Sequence, residues 1–410
     1  METLNDDLTQ RKRPVASFVL IYVAYIICFI DRSALNIALS YIGKDFNLST
    51  STLGVVASAF FFSYALMQIP GGWLTDKFGT KITIIVAISM WSIFTVLTGF
   101  AWSLASLLVI RVLFGIGEGT FPSASLKQIS EEVSYDHRSQ ATSAIISSNY
   151  IGSAIAPMMM APIIAFLGWR TAFHFMGIIG LIFVVVYFFV LRPIKSTKSV
   201  TTNRKKIVWG QVLSNRIIWQ FFIVVFGLSV VTKGLDTWMP TYLLQSRHIN
   251  LAGVAWMVPL PSLAAGVGAV LSGFIMVKFF KNHEKWLIAL ASLLTTVFMF
   301  GMYRSSTLAG VISFEVLTYF FKSIAFSGSF AFFAQLMTQK AYGSSVGIVN
   351  FGGQLAGFLA PILIGVLVQS FGGSYSVAFL FLVFAAGVAF LASLTFSAKE
   401  LMNRKQNVVK

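Results

Sequence analysis

Long stretches without a charged side chain recur from one end of this chain to the other, each near the ~20 residues an α-helix needs to cross the hydrocarbon of a bilayer. Water-soluble domains cannot conceal so many. Of 410 residues, 57% are hydrophobic and only 11% charged, whereas soluble domains carry about a quarter. The tracts are solidly apolar and do not alternate as barrel strands do, which excludes a transmembrane β-barrel. The chain therefore reads as an all-α, polytopic membrane protein. Its single cysteine, Cys28, lies inside the first tract and has no second cysteine to pair with, which removes disulfides and cysteine metal sites.

Twelve spans are expected, at 15–42, 51–74, 82–100, 104–130, 139–166, 170–191, 217–245, 251–277, 286–303, 308–336, 344–370 and 374–397. The net charge of +16 would suggest nucleic acid in a soluble protein, but here it lies in the loops. Of the 26 basic residues in loops or at span ends, 22 fall on the side of the N-terminus. The other side has Lys44, Arg170, Arg247 and Arg304. Such a bias places both termini in the cytoplasm and accounts for the charge without nucleic acid. The first span reads as an uncleaved signal anchor, and the chain as a multi-pass protein of the plasma membrane.

The widest break is the basic stretch 192–216, with six spans before it and six after. It divides the chain into an expected N-terminal bundle, 1–191, and a C-terminal bundle with a short tail, 217–410. Laying the second half on the first at an offset of 201 residues superposes Asn149 on Asn350, Gly152 on Gly353, Gly72 on Gly273, Lys77 on Lys278 and Arg32 on Lys233. One register serving several distant segments indicates two parallel six-helix repeats, with a substrate site near the midplane between them.

Eight charged residues fall well inside spans, away from their ends: Asp31, Arg32, Arg111, Glu118, Lys233, Asp236, Glu315 and Lys322. A charge at the bilayer centre costs ~2.5–3.5 kcal/mol even on the mildest scale, so these must face protein or a wet cavity. Arg111 and Glu118 are seven residues apart, on one face of a helix. Arginine's planar fork suits a carboxylate, and a carboxylate in a site that alternates between wet and occluded can carry a proton. A purely structural reading has these four residues as salt bridges tying span 1 to span 4. Lys233 and Asp236, three apart, are spaced to pair with each other, and Glu315 and Lys322 of span 10 read as an internal pair and not as ligands.

The loop GGWLTDKFGTK, Gly71 to Lys81, resembles the signature loop of the major facilitator superfamily through Gly72, Leu74, Asp76, Lys77, Gly79 and Lys81. The strings FIDRSALNIALS in span 1, RVLFGIGEGTFPSA in span 4 and TWMPTYL in span 7 resemble the anion:cation symporters within it. That resemblance implies proton-coupled uptake of a carboxylate such as a hexonate, hexarate or hexuronate. It implies Asp31 and Glu118 as proton carriers, with Arg32 and Arg111 at the substrate, and it points to Tyr64, Asn149 and Asn350 as polar positions. Lys233 and Trp238 are further candidates for the substrate, and Pro240 is expected to break span 7. Gly72, Asp76, Lys77, Gly79 and Lys81 are the expected gate, with Gly72 and Gly79 allowing close backbone approach. Tyr22 and Tyr25 are weaker candidates.

Gly115, Gly117 and Gly119 lie in an apolar helix with no preceding strand, so they read as packing positions and not as a dinucleotide loop. No phosphate-binding loop for ATP, nucleophile, metal or cofactor constellation is evident, so neither an enzyme nor an ATP-driven pump is expected. Two alternatives stay open. One is an organophosphate:phosphate antiporter using Arg32 and Lys233, and the other a receptor of this fold that binds without transporting.

Overall fold

The computed structural model describes residues 2–133, 135–190, 213–337 and 339–396. Residues 192–212 of the expected basic linker and the tail beyond 396 lie outside them. Every element assigned among the described residues is helical. In chain order they are α1 (Glu2–Asp45), α2 (Thr50–Phe78), α3 (Thr80–Gly99), α4 (Leu104–Glu132), then a stretch Tyr135–Val190 that Gly168 divides into α5 (135–167) and α6 (169–190). There follow α7 (Arg216–Gln245), α8 (Leu251–Met257), α9 (Pro259–Phe279), α10 (Glu284–Arg304), α11 (Leu308–Leu336), α12 (Gln339–Ser370) and α13 (Tyr375–Leu394).

Eleven described stretches are long and apolar enough to cross a membrane. One of them, Ser147–Val190, is 44 residues, far longer than a crossing needs, and it turns at Gly168. Counting its two arms gives the twelve crossings expected. Gly168 (φ 80°, ψ 162°) and Gly79 between α2 and α3 (φ 84°, ψ 161°) share a backbone region that is essentially glycine's alone. Each thereby reverses the chain with almost no loop. Elsewhere side chains start the helices: Ser103 and Ser106 form a reciprocal cap on α4, Asn250 caps α8 and Thr307 caps α11.

The described chain falls into two compact units, one comprising 1–200 with 236–260 and the other 201–235 with 261–410. The last third of α7 and all of α8 thus belong with the first unit, where α8 packs on the stretch Tyr135–Val190. Contrary to expectation α7 runs on through Pro240 as one helix, despite the ~3 kcal/mol that the lost backbone bond and the ring clash cost a helix interior.

Glycines set the packing of the first unit. A Cβ on Gly115 would stand 2.5 Å from the Phe60 carbonyl oxygen, and one on Gly119 3.0 Å from that of Tyr64, so both glycines seat α4 on α2. Gly117, between them, faces the other way and meets Met90 and Trp91 of α3. The three glycines are therefore contact surfaces for two neighbours at once. Gly152 seats α5 on α1, its Cβ position 2.8 Å from the Ile26 carbonyl, and Gly177 seats α6 on α3.

In the second unit, Phe221 stacks on Phe396 at 4.3 Å and lies edge-on to Phe333, within a core drawn from α7, α9, α10, α11, α12 and α13. Gly352 and Gly353 of α12 face Phe222, Val225 and Ser229 of α7, as Gly152 of α5 faces α1. The repeat register also reappears in side-chain detail. Lys77 lies over the rings of Trp73 and Phe78 at 4.9 and 5.2 Å, and Lys278, 201 residues on, over Phe274 and Phe279 at 5.2 and 5.3 Å.

Candidate functional site

Four charges predicted to be central come together in the first unit. Asp31 and Arg32 are carried by α1, Arg111 and Glu118 by α4, and the close seating of α4 on α2 brings a wall of aromatic rings beside them. Asp31, Arg111 and Glu118 are each 1% exposed, and buried charges are tolerated when they are paired. Counted with Arg32, the formal charges of the four sum to zero.

The direct partner of Glu118 is Arg32, whose Nη2 donates to Oε1. Arg111, one face and two turns away on the same helix, acts on Glu118 and on Asp31 as an electrostatic neighbour. The spacing puts Arg111 and Glu118 on one face of α4, and of the salt bridges that could tie span 1 to span 4 the structure makes Arg32–Glu118. Two guanidiniums share one ring: Phe60 lies 4.8 Å from Arg32 and 5.8 Å from Arg111. Arg32 also stands over Phe29 at 4.7 Å and Tyr64 at 4.9 Å, and Arg111 over Phe114 at 4.5 Å. Cation–π attraction of this kind stabilises a guanidinium that has left water.

The cluster is not saturated. Both carboxylate oxygens of Asp31, Oε2 of Glu118 and the Nε atoms of both arginines have no hydrogen-bond partner among the described residues. Thr95 of α3 lies beside Asp31, yet its hydroxyl donates to the Trp91 carbonyl at 2.9 Å. Buried polar atoms are nearly always bonded, so these are groups able to accept a further polar partner. Cys28, 2% exposed, is an electrostatic neighbour of Glu118, Arg32 and Asp31.

The other predicted substrate positions are placed unevenly. Tyr64 is buried under Arg32. Asn149 of α5 is half-buried with its Oδ1 unpartnered. Asn350 and Lys233 are half-buried in the second unit, while Trp238 is buried in the part of α7 that belongs with the first. Tyr25 is engaged elsewhere: its hydroxyl bonds Ser125 of α4 at 3.0 Å, and Tyr22 approaches Ser147 at 3.5 Å.

At the expected gate, Asp76 receives a hydrogen bond of 2.7 Å from Lys127 of α4, a partner that the loop motif alone does not reveal. Lys81 donates to the Phe188 carbonyl near the end of α6 at 3.0 Å, where a cation also complements the helix dipole. Gly79 supplies the turn. Gly72 is a correction: a Cβ there meets nothing within 4 Å, and the close approach falls to Gly71, 2.8 Å from the Thr120 Cα. At the other end of the first unit, Asp45 accepts hydrogen bonds from Arg170 and, at 2.9 Å, from the Trp169 indole. Nearby, a cavity of about 660 Å³ opens beside Lys44 and Tyr41 of α1 and residues Gln245 and His248.

Comparison with known proteins follows the same line. Residues 21–317 match the family described as Major Facilitator Superfamily. The chain is 26% identical to a D-galactonate transporter of Escherichia coli O6:H1 across 94% of its own length and 95% of the relative's. It is 30% identical to a probable sulfoacetate transporter of Cupriavidus necator over 90% of each chain. Among solved structures, a bacterial homologue of the human lysosomal transporter Spinster, inward-facing and occupied, superposes with a TM-score of 0.81 at 18% identity, covering 94% of this chain and 98% of that one.

Proposed function

The chain belongs to the major facilitator superfamily, a membrane transporter and not an enzyme, and on that footing we propose that it carries an organic carboxylate, of the sugar-acid class, together with protons by alternating access. The observation that carries this reading is the buried Arg32–Glu118 ion pair inside a charge group that sums to zero. While Glu118 is ionised it occupies Arg32. Once Glu118 is protonated, the guanidinium has lost its partner in a low-dielectric site and takes the carboxylate of the substrate in its place. One proton added with one negative charge of substrate keeps the group neutral, so the loaded protein can occlude without stranding a charge. Asp31 is the second proton carrier, facing Arg111.

Tyr64, Asn149 and Asn350 are proposed to meet the substrate's hydroxyls, and Lys233 and Trp238 to complete the site from α7. Asp76, Lys77, Gly79 and Lys81 are proposed to latch one conformation at the cytoplasmic side, with Gly72 at the start of that loop. The two bundles, 1–191 and 217–410, joined by the basic linker 192–216, are proposed to be the moving halves, with both termini in the cytoplasm and the protein in the plasma membrane. Against the phosphate antiporter, Asp31 and Glu118 repel a dianion unless both are protonated. The sulfoacetate relative raises a sulfonate as a second substrate class, since a sulfonate presents the same anionic oxygens to the guanidinium.

The test is uptake by purified protein in proteoliposomes, offering galactonate, gluconate, glucarate, hexuronates, sulfoacetate and glycerol phosphate with and without an inward proton gradient. Accumulation of one carboxylate only under the gradient is expected, and Glu118→Gln is expected to abolish it while retaining exchange. Concentrative uptake by Glu118→Gln would refute the coupling role, and exchange of phosphate for a phosphate ester would replace the reading altogether.

A further inference from the structure

The cavity beside Lys44 lies wholly within the first unit, and the proposed transport cycle gives it no role. At about 660 Å³ it matches the ~300–1,000 Å³ clefts that take small ligands. Its polar walls are Ser40, Tyr41 and Lys44 of α1, Gln245 at the end of α7, and His248 and Asn250 in the turn before α8, and no aspartate or glutamate is among the described residues that line it. Asp45, next to Lys44, is held instead by Arg170 and the Trp169 indole. Among the described residues neither Lys44 nor His248 makes an ion pair. Lys44, Arg170 and Arg247 stand at this end of the first unit against the single carboxylate of Asp45, a surplus of positive charge that draws anions toward it.

A lysine in the last turn of α1 suits the helix dipole, but the dipole does not call for an imidazole lining the same space. His248 holds φ 54°, a left-handed position that closes the end of α7, where the Ile249 N–H bonds the Leu243 carbonyl at 2.9 Å. Glycine closes such a turn at less cost, and what histidine adds is a ring N–H donor on the cavity wall. The Asn250 Oδ1 is spent on the Gly253 N–H at 2.9 Å, which leaves the NH2 of that side chain to donate. Ammonium, imidazole and amide donors thus line one space that no carboxylate of the described residues neutralises.

We infer that this cavity is a second anion site, in which a small carboxylate docks on Lys44 and His248 before it reaches Arg32. Counted along α1 at ~1.5 Å per residue, Ser40 and Lys44 stand about 12 and 18 Å beyond Arg32, toward the side of the membrane away from the N-terminus. The ligand class rests on the carboxylate reading of the central site, to which the cavity adds a station on the way in. The headgroup of an anionic lipid offers the same anionic oxygens, so the test separates the two sources.

The probe is radiolabelled galactonate, its binding to the full chain measured by equilibrium dialysis in nanodiscs of phosphatidylcholine. The double variant Arg32→Gln with Glu118→Gln removes the central pair while leaving Asp31 and Arg111 balanced. It should retain one weak galactonate site, which adding Lys44→Gln weakens about three-fold or more and adding both Lys44→Gln and His248→Gln removes. Loss of all galactonate binding in the double variant, or residual binding indifferent to Lys44→Gln, would overturn the second site. If the parent and the double variant bind galactonate alike and both depend on Lys44, the cavity site stands and the central reading falls. In a second arm phosphatidylglycerol is added to the nanodiscs. Galactonate binding should survive it, and its complete displacement, with Lys44→Gln abolishing retention of phosphatidylglycerol on purification, would assign the cavity to a lipid headgroup and overturn the solute site.

Discussion

Replacing Glu118 with glutamine leaves the central group at +1, and replacing Arg32 with glutamine leaves it at −1, whereas the double replacement leaves Asp31 and Arg111 balanced. The side chains of the pair are 1% and 13% exposed, so solvent cannot compensate either loss. Breaking a buried pair from one side costs ~3–5 kcal/mol, while exchanging both partners for neutral groups is often close to neutral. The three rings around Arg32 lower the cost on its side, each attraction being ~0.5–2 kcal/mol, and nothing comparable shelters an abandoned carboxylate. Glu118→Gln should therefore fall near the lower end of that range and Arg32→Gln near the upper. The double variant should return to within ~1 kcal/mol of the parent, a coupling of at least ~3 kcal/mol. Unfolding of the purified proteins in detergent, followed by tryptophan fluorescence against denaturant, measures all four corners of the cycle. Additive losses, or two harmless single variants, would show that the charges do not compensate each other and would remove the basis of the coupling argument.

Two further outcomes are expected from the packing and the gate. Gly115→Ala places a methyl 2.5 Å from a backbone carbonyl of α2 and should destabilise by ~1–3 kcal/mol with reduced yield of folded protein, whereas Gly72→Ala, with no atom within 4 Å, should match the parent in thermal unfolding. Asp76→Asn, which severs a largely exposed pair with Lys127, should change stability by less than ~1 kcal/mol while altering the transport rate, and a large stability loss with unchanged transport would argue against a gating role.

How much could be read from the sequence differed with the kind of interaction. Spans were legible because the bilayer sets a length and excludes charge, and Gly115, Gly117 and Gly119 were legible as packing positions because small residues inside an apolar helix have few other uses. Asp31, Arg32, Arg111 and Glu118 stood out for the same electrostatic reason. Which of them pair did not, because spacing along a helix reports only intrahelical neighbours, and the partner of Glu118 sits on another helix 86 residues away. Phe60 was invisible within the run Phe60-Phe61-Phe62, where only the direction of each ring separates the residue between two guanidiniums from its lipid-facing neighbour Phe62. Gly71 and Gly72 were indistinguishable until the position of Thr120 showed which one has a backbone against it. The partners of Lys127 and Asp45 leave no trace in the sequence, since an exposed lysine or aspartate at a span end satisfies topology whether or not it has a partner.

The burial of Cys28 within the central charge group has a practical consequence. With no other thiol in the chain, the natural protein is already a single-cysteine reporter, labelled without prior mutagenesis by a small membrane-permeant reagent. The rate of that labelling tracks how often the packing around Glu118 opens during turnover, and protection by an added anion would report occupancy of the same region in an otherwise unaltered protein. By the same token, mercurials and thiol oxidants should inhibit transport from within the bilayer, at a position that hydrophilic reagents reach only through the transport pathway itself.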